Sequence, residues 1–478
     1  MSIFGWALVV YLIILVGVGY YASRKVTDAE EFMVAGRSAN KIMLLGTFVA
    51  TFTSASMWIG TTGFFYKWGW CQIWQGPGTI LPSIIIILFI GPYLRRFAQF
   101  TIPDFYGERY DSKLVRLIAA LIIVGLYFTI MVAQLMGGGR VIQAALGWDY
   151  KVGMIALAVV LIFYSWAGGQ RSVIWCDTLQ FFVILIASVG TFYYCLNIMG
   201  GFGELNRTLA AVDPNLVRGD GGGVMPWTMA LAWTCIWGFG NSAQPYTISR
   251  FYSAKDIKSG IFGVGLGAFL ISLFIILIGI VGVTARIKFP DLPSIDLAFP
   301  MVATKLLPTP IGVLAVTGLI AAIISTMDTL LVTLGITCGR DIFQKVFKPN
   351  ASSRELLFVN RAATLGVGGL AAFVALNPPG PVLVITAFAW SVIASSFFVP
   401  LVAGIHWKRA TRIGAISGML GGAAVSLLWF YLNKPFGLHP VLPGLLSSLV
   451  FLVVGSLSSK EEDISELWKV LHPTKAKA

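Results

Sequence analysis

Apolar runs separated by short polar joints make up almost the whole chain. A run of about 20 apolar residues is long enough to cross a bilayer as a helix. Thirteen runs approach that length: 3–22, 41–66, 72–95, 114–145, 152–168, 172–199, 226–248, 259–285, 308–338, 357–377, 381–403, 411–432 and 438–457. The pattern predicts an all-α polytopic membrane protein with about thirteen transmembrane helices. The first run, Phe4 to Tyr21, lacks a basic leader and a small-x-small cleavage site. It therefore reads as a retained helix and not a signal peptide. Segment 200–225 is polar and rich in Gly, and reads as an outside loop between two halves.

Composition supports this class. Hydrophobic residues are 57% of the chain and charged residues 12%, against about 25% charged in a soluble domain. The net charge of +13 raises the question of nucleic acid, but the basic residues sit in short loops. An odd number of spans puts the termini on opposite sides. With the N-terminus outside, 25 of the 34 Lys and Arg residues fall on the cytoplasmic side. That is the positive-inside bias, and it predicts N-out, C-in. The setting is a cell membrane, with the lipid bilayer as surroundings and no nucleic-acid partner. No obligate protein partner is evident. Three His residues and five scattered Cys residues give no zinc spacing and no disulfide framework. No nucleophile–base constellation is visible either, so the chain reads as a non-enzyme without a cofactor.

Two spans carry breaks. Ala50-Thr51-Phe52-Thr53-Ser54-Ala55-Ser56 places small and hydroxyl residues inside an apolar helix, where they weaken it. Gly238 to Pro245 does the same in the seventh span. The breaks lie five spans apart, the spacing of two inverted five-helix repeats. Freed carbonyls at such breaks suit a hard cation, while the plain alternative is a helix-packing face of small residues. Two carboxylates lie well within apolar runs, Asp177 and Asp328, and intramembrane acids are functional by default. Asp177 either pairs with Arg171 or serves a cation relay. Ser325, Thr326 and Asp328 offer three oxygens within one turn. No basic residue is expected at mid-membrane depth.

At these residues the chain resembles the sodium:solute symporters. The resemblance rests on Ala321 to Thr326, on Gly169 through Asp177 with Gln180, and on Gly404 to Arg409 followed by Gly414 to Gly418. It implies a LeuT-type fold. The parts would be an extra helix and cytoplasmic loop (1–40), a first repeat (41–199), the loop 200–225, a second repeat (226–403), two added helices (404–458) and a tail (459–478). It implies secondary active transport of a small organic solute, with Na+ as coupling ion. The sodium ligands carried over are the carbonyls of Ala50, Thr53 and Ala322 and the hydroxyls of Ser325 and Thr326. Asp177, Asp328 and Thr329 would form a second cation site or relay, and the carboxylate at Asp328 departs from the family pattern. The chain looks most like the pantothenate symporters, through 50–56 with Tyr66-Lys67, Val132 to Gly138 and Phe436 to Pro443. A carboxylate such as pantothenate is thus the expected solute, with short monocarboxylates, proline and sugars as alternatives. Ser54, Ser56, Gln75, Gln134, Asn241 and Gln244 are the candidate contacts, with Phe52 and Trp58 as walls. A non-transporting sensor on the same scaffold is the other class.

Overall fold

The computed structural model describes residues 2–26 and 29–473, the side chains of 29 and 163–168 excepted, so the end of the 459–478 tail lies outside it. Helices account for nearly all regular structure among the described residues. The chain opens with α1 (Ile3–Ser23), capped by the Ser2 hydroxyl, and a short α2 (Ala29–Val34). The first broken span is α3 (Lys41–Phe52) and α4 (Thr62–Trp68), joined by a wide helical turn, Ser56–Thr61. It is followed by α5 (Gln75–Ile85), α6 (Gly91–Phe97), the short α7 (Ile102–Arg109), and α8 (Lys113–Leu146). Next comes α9 (Tyr150–Ile198), which kinks at Gly169 into two helices and so supplies two spans.

After α10 (Phe202–Val212), the second broken span is α11 (Trp227–Ser242) and α12 (Pro245–Ser253). The remaining elements are α13 (Ile257–Lys288), α14 (Ala298–Met301), α15 (Thr309–Ile336), α16 (Ser353–Ala375), α17 (Val382–Ile393), α18 (Val399–His406), α19 (Arg412–Tyr431), α20 (Val441–Leu457) and α21 (Ser465–Leu471). Counting α3–α4, α5–α6, α11–α12 and α17–α18 as one rod each, the described residues make the thirteen expected spans.

Segment 200–225 is more ordered than a polar loop. Leu205 and Leu209 are buried one turn apart on α10, an i, i+4 stripe that holds the helix against its neighbours. Trp70 donates to Asn206 Oδ1 at 2.7 Å and Trp74 to the Gly219 carbonyl at 3.0 Å. The seventh span also runs further than expected. A helix broken at Ala243 needs length on both sides of the break, and α12 continues to Ser253.

The turn at Gly169 has φ 58° and ψ −169°, and a Cβ there would lie 2.5 Å from the Phe32 ring. That backbone region is essentially closed to residues with a side chain, at about 1–3 kcal/mol. Gly169→Ala should therefore lower the thermal midpoint of the purified protein. An unchanged midpoint would mean that the turn can relax.

On the face that carries the basic loops, the chain is tied together by side chains. Arg37 donates to the Ala98 carbonyl at 2.7 Å and the Tyr252 carbonyl at 3.3 Å. Asp104 accepts from Arg116 and, at 2.7 Å, from Arg340. The tail folds back as α21, and His472 Nε2 lies 2.8 Å from the Ile405 carbonyl.

Candidate sodium and solute site

Each break frees backbone groups that have no water to turn to. At the first, Thr53 leaves helical geometry (φ −76°, ψ 59°), and Ala55 begins the next turn. Gln134 Oε1 accepts the Ala55 N–H at 2.9 Å. At the second, Gln244 is extended and Pro245, which needs no N–H partner, opens α12. Tyr127 OH accepts the Tyr246 N–H at 3.2 Å and donates to Gln244 Oε1 at 2.8 Å. Gln134 and Tyr127 are both on α8, two turns apart and so on one face. A single helix thus caps both breaks.

Four of the five expected sodium oxygens converge where α3 meets α15. Ser325 Oγ is 2.8 Å from the Ala50 carbonyl and 3.0 Å from the Ala322 carbonyl. Thr326 Oγ1 is 2.9 Å from the Thr51 carbonyl and 3.0 Å from that of Ala322. Thr53 directly follows α3, its own hydroxyl bonded back to the Val49 carbonyl at 2.8 Å. The group is buried. It is all oxygen, neutral, and shared by two helices, which is the donor chemistry a sodium ion takes.

The reading of Asp177 needs correction. Arg171 pairs with Glu31, not with Asp177. Asp177 instead meets Arg250 of α12, whose Nη2 lies 3.4 Å from Oδ2. The same Nη2 donates to the hydroxyls of Thr51 and Thr329, each at 2.9 Å. Thr47 and Thr51 also donate to Asp177 Oδ2. A buried basic residue therefore stands in the second half of the broken seventh span, against expectation: Arg250, on α12, is 1% exposed. Hydropathy ends the seventh span at residue 248 and so leaves Arg250 outside it. Thr47 and Thr51 were missed with Arg250. Asp328 is buried in α15 and does not line the central cavity.

That cavity lies between the two broken spans. It is lined by Ser54, Ser56, Gln75 and Gln134 of the expected contacts, and by Phe52. Asn241 and Gln244 stand behind it: Asn241 Oδ1 accepts from Tyr246 OH at 3.4 Å, and Gln244 is held by Tyr127. Trp58 does not form a wall; it is buried edge-on against Phe299, centroids 4.8 Å apart. The walls are Phe52, as expected, and three aromatic residues with no part in the expectation, Trp237, Tyr246 and Trp390. Trp237 and Trp390 have ring centroids 5.2 Å apart, Phe52 is 6.3 Å from each, and Tyr246 is 6.1 Å from Trp390. The position of Trp237, just before the Gly238 break, was the available signal. Every lining residue is buried, and the cavity holds only about 30 Å³. None of the lining residues is charged. Ser56 Oγ, Gln75 Nε2 and Gln134 Nε2 have no partner among the described protein atoms.

A helical bundle with two broken spans around a buried cavity defines a LeuT-type membrane transporter. The likeness to solved structures agrees. A Na+-coupled sialic acid symporter in a substrate-bound outward-open state superposes with a TM-score of 0.81 at 19% identity, covering 97% of this chain and 99% of that one. Mhp1, a nucleobase-cation-symport-1 family transporter, gives 0.56 at 15% identity, over 89% and 93%. The sodium:solute symporter family pattern matches residues 32–422, and the chain belongs to that family. Among curated relatives, the sodium/pantothenate symporter of Escherichia coli is 30% identical over 94% of this chain and 95% of its own length. The osmoregulated proline transporter OpuE of Bacillus subtilis is 28% identical over 94% of each. A sodium/proline symporter of Staphylococcus aureus is 29% identical over 94% and 92%. The chain is thus an integral membrane protein of sodium-coupled symport.

Proposed function

We propose that the chain carries a small carboxylate, such as pantothenate, inward together with Na+ by alternating access. The coupling sodium is bound by Ala50, Thr53, Ala322, Ser325 and Thr326. The N-terminus is outside and the C-terminus cytoplasmic, as the basic loops favour. Residues 41–199 and 226–403 are the two repeats that move against each other. The observation that carries the solute reading is the set of donors in the cavity. Gln134 gives its oxygen to the Ala55 N–H, which leaves its Nε2 as a donor for the solute. Gln75 Nε2 and Ser56 Oγ are likewise without partners among the described protein atoms. Several donors, a nearby half-helix N-terminus and no lining charge suit an acceptor-rich anion. The aromatic walls suit its apolar part.

A second reading is favoured by the narrowness of the cavity: the solute is proline-sized. Uptake into proteoliposomes decides between them. Labelled pantothenate and labelled L-proline are offered with and without an inward sodium gradient, and one should accumulate only with it. Gln134→Ala should weaken its binding about tenfold, the effect of losing a hydrogen bond worth about 1.5 kcal/mol. Competition by sugars and by neither carboxylate would overturn the solute reading.

A further inference from the structure

The oxygen cluster beside the sodium site already holds a cation that belongs to the protein. Arg250 Nη2 is within 2.9 Å of the Thr51 and Thr329 hydroxyls and 3.4 Å from Asp177 Oδ2. These oxygens come from three helices, α3, α9 and α15, and Arg250 comes from a fourth, α12. Thr51 and Thr329 are themselves 3.2 Å apart. Two hydroxyls and a carboxylate, all buried, converging on one point are a hard-cation donor set. Here the point is a guanidinium nitrogen.

We propose that Arg250 is a built-in substitute for a second coupling cation, so that the protein binds one sodium ion per chain. The tethered charge neutralises Asp177 in every cycle and never leaves with the solute. A sodium ion entering the same oxygens would stand next to the guanidinium and would have to share the Asp177 carboxylate with it. Thr51 joins the two centres: its hydroxyl faces Arg250 and its carbonyl accepts from Thr326. Arg250 is therefore a positioning residue for coupling. It sets how many cations the carrier holds without touching the first one.

This rests on the sodium site proposed above, and the test separates the two. Binding of ²²Na+ to the purified full-length protein is counted at saturation, which requires no knowledge of the solute. The native protein should bind one ion. Arg250→Gln, with its Asp177 carboxylate left unmatched, should bind two. The second ion should be lost again in Arg250→Gln combined with Asp177→Asn. Arg250→Lys keeps a tethered charge and should bind one. A native count of two overturns the proposal whether or not the variants fold, and so does a folded Arg250→Gln that still binds one. A native count of zero overturns the sodium site, and this proposal with it.

Discussion

Replacing Ser325 and Thr326 together with Ala should raise the sodium concentration for half-maximal uptake by at least tenfold. Both hydroxyls lie on α15, and both reach carbonyls of α3 and of their own helix. Sodium bound there would draw on the same oxygens and hold the two helices in one relation. It acts as a coupling ion because it binds that relation better than the alternative. Each lost ligand is worth about 1–3 kcal/mol when its partners are left unsatisfied, and about 1.4 kcal/mol is a factor of ten. The solute cavity is lined by Thr326 but not by Ser325. Ser325→Ala alone should therefore move the sodium requirement with little change in solute affinity at saturating sodium. Initial rates of sodium-driven uptake in proteoliposomes, over a series of sodium concentrations, measure both. An unmoved sodium requirement in the double variant would remove these residues from the site.

The second large effect is expected at Asp177. Asp177→Asn removes the carboxylate that the buried Arg250 guanidinium meets at 3.4 Å among the hydroxyls. Breaking a buried ion pair from one side costs about 3–5 kcal/mol. That is a large fraction of the stability of most proteins. The variant should be recovered in poor yield, with a lowered thermal midpoint in detergent. Asp177→Asn with Arg250→Gln removes both charges and should regain most of the loss. If the two residues acted independently, the double variant would instead be worse than either single one. Melting curves for the two single variants and the double variant distinguish these outcomes.

Much of this arrangement was legible in the sequence because a bilayer leaves few options. Apolar run length gave the thirteen spans. The hydroxyl-rich stretch 50–56 and the Gly–Pro bracket 238–245 marked both breaks, and four of the six expected solute contacts line the cavity. What failed was local bookkeeping across a break. Hydropathy falls off after Ile248, since Ser249 and Arg250 are polar, so the span was ended there. A helix unwound near its middle must still reach the far side. Counting rise per residue on both sides would have kept Arg250 inside. The capping partnership of Tyr127 and Gln134 had no sequence signal, since it depends on where α8 crosses the two breaks. The same holds for Asn241 and Gln244, which support the cavity from behind. Their residue types suit contact and support equally well.

A cavity with room for one or two waters sets a limit on any affinity measured for this protein. The ring cluster of Phe52, Trp237, Tyr246 and Trp390 walls that cavity, and the rings must part before a larger solute can enter. The cluster is thus an internal competitor, always present at full effective concentration. Apparent affinity equals the affinity of the opened form multiplied by the fraction of molecules that are open. Tighter packing among these four rings therefore weakens binding without altering any contact to the solute. A weak dissociation constant would then report how well the rings fit one another.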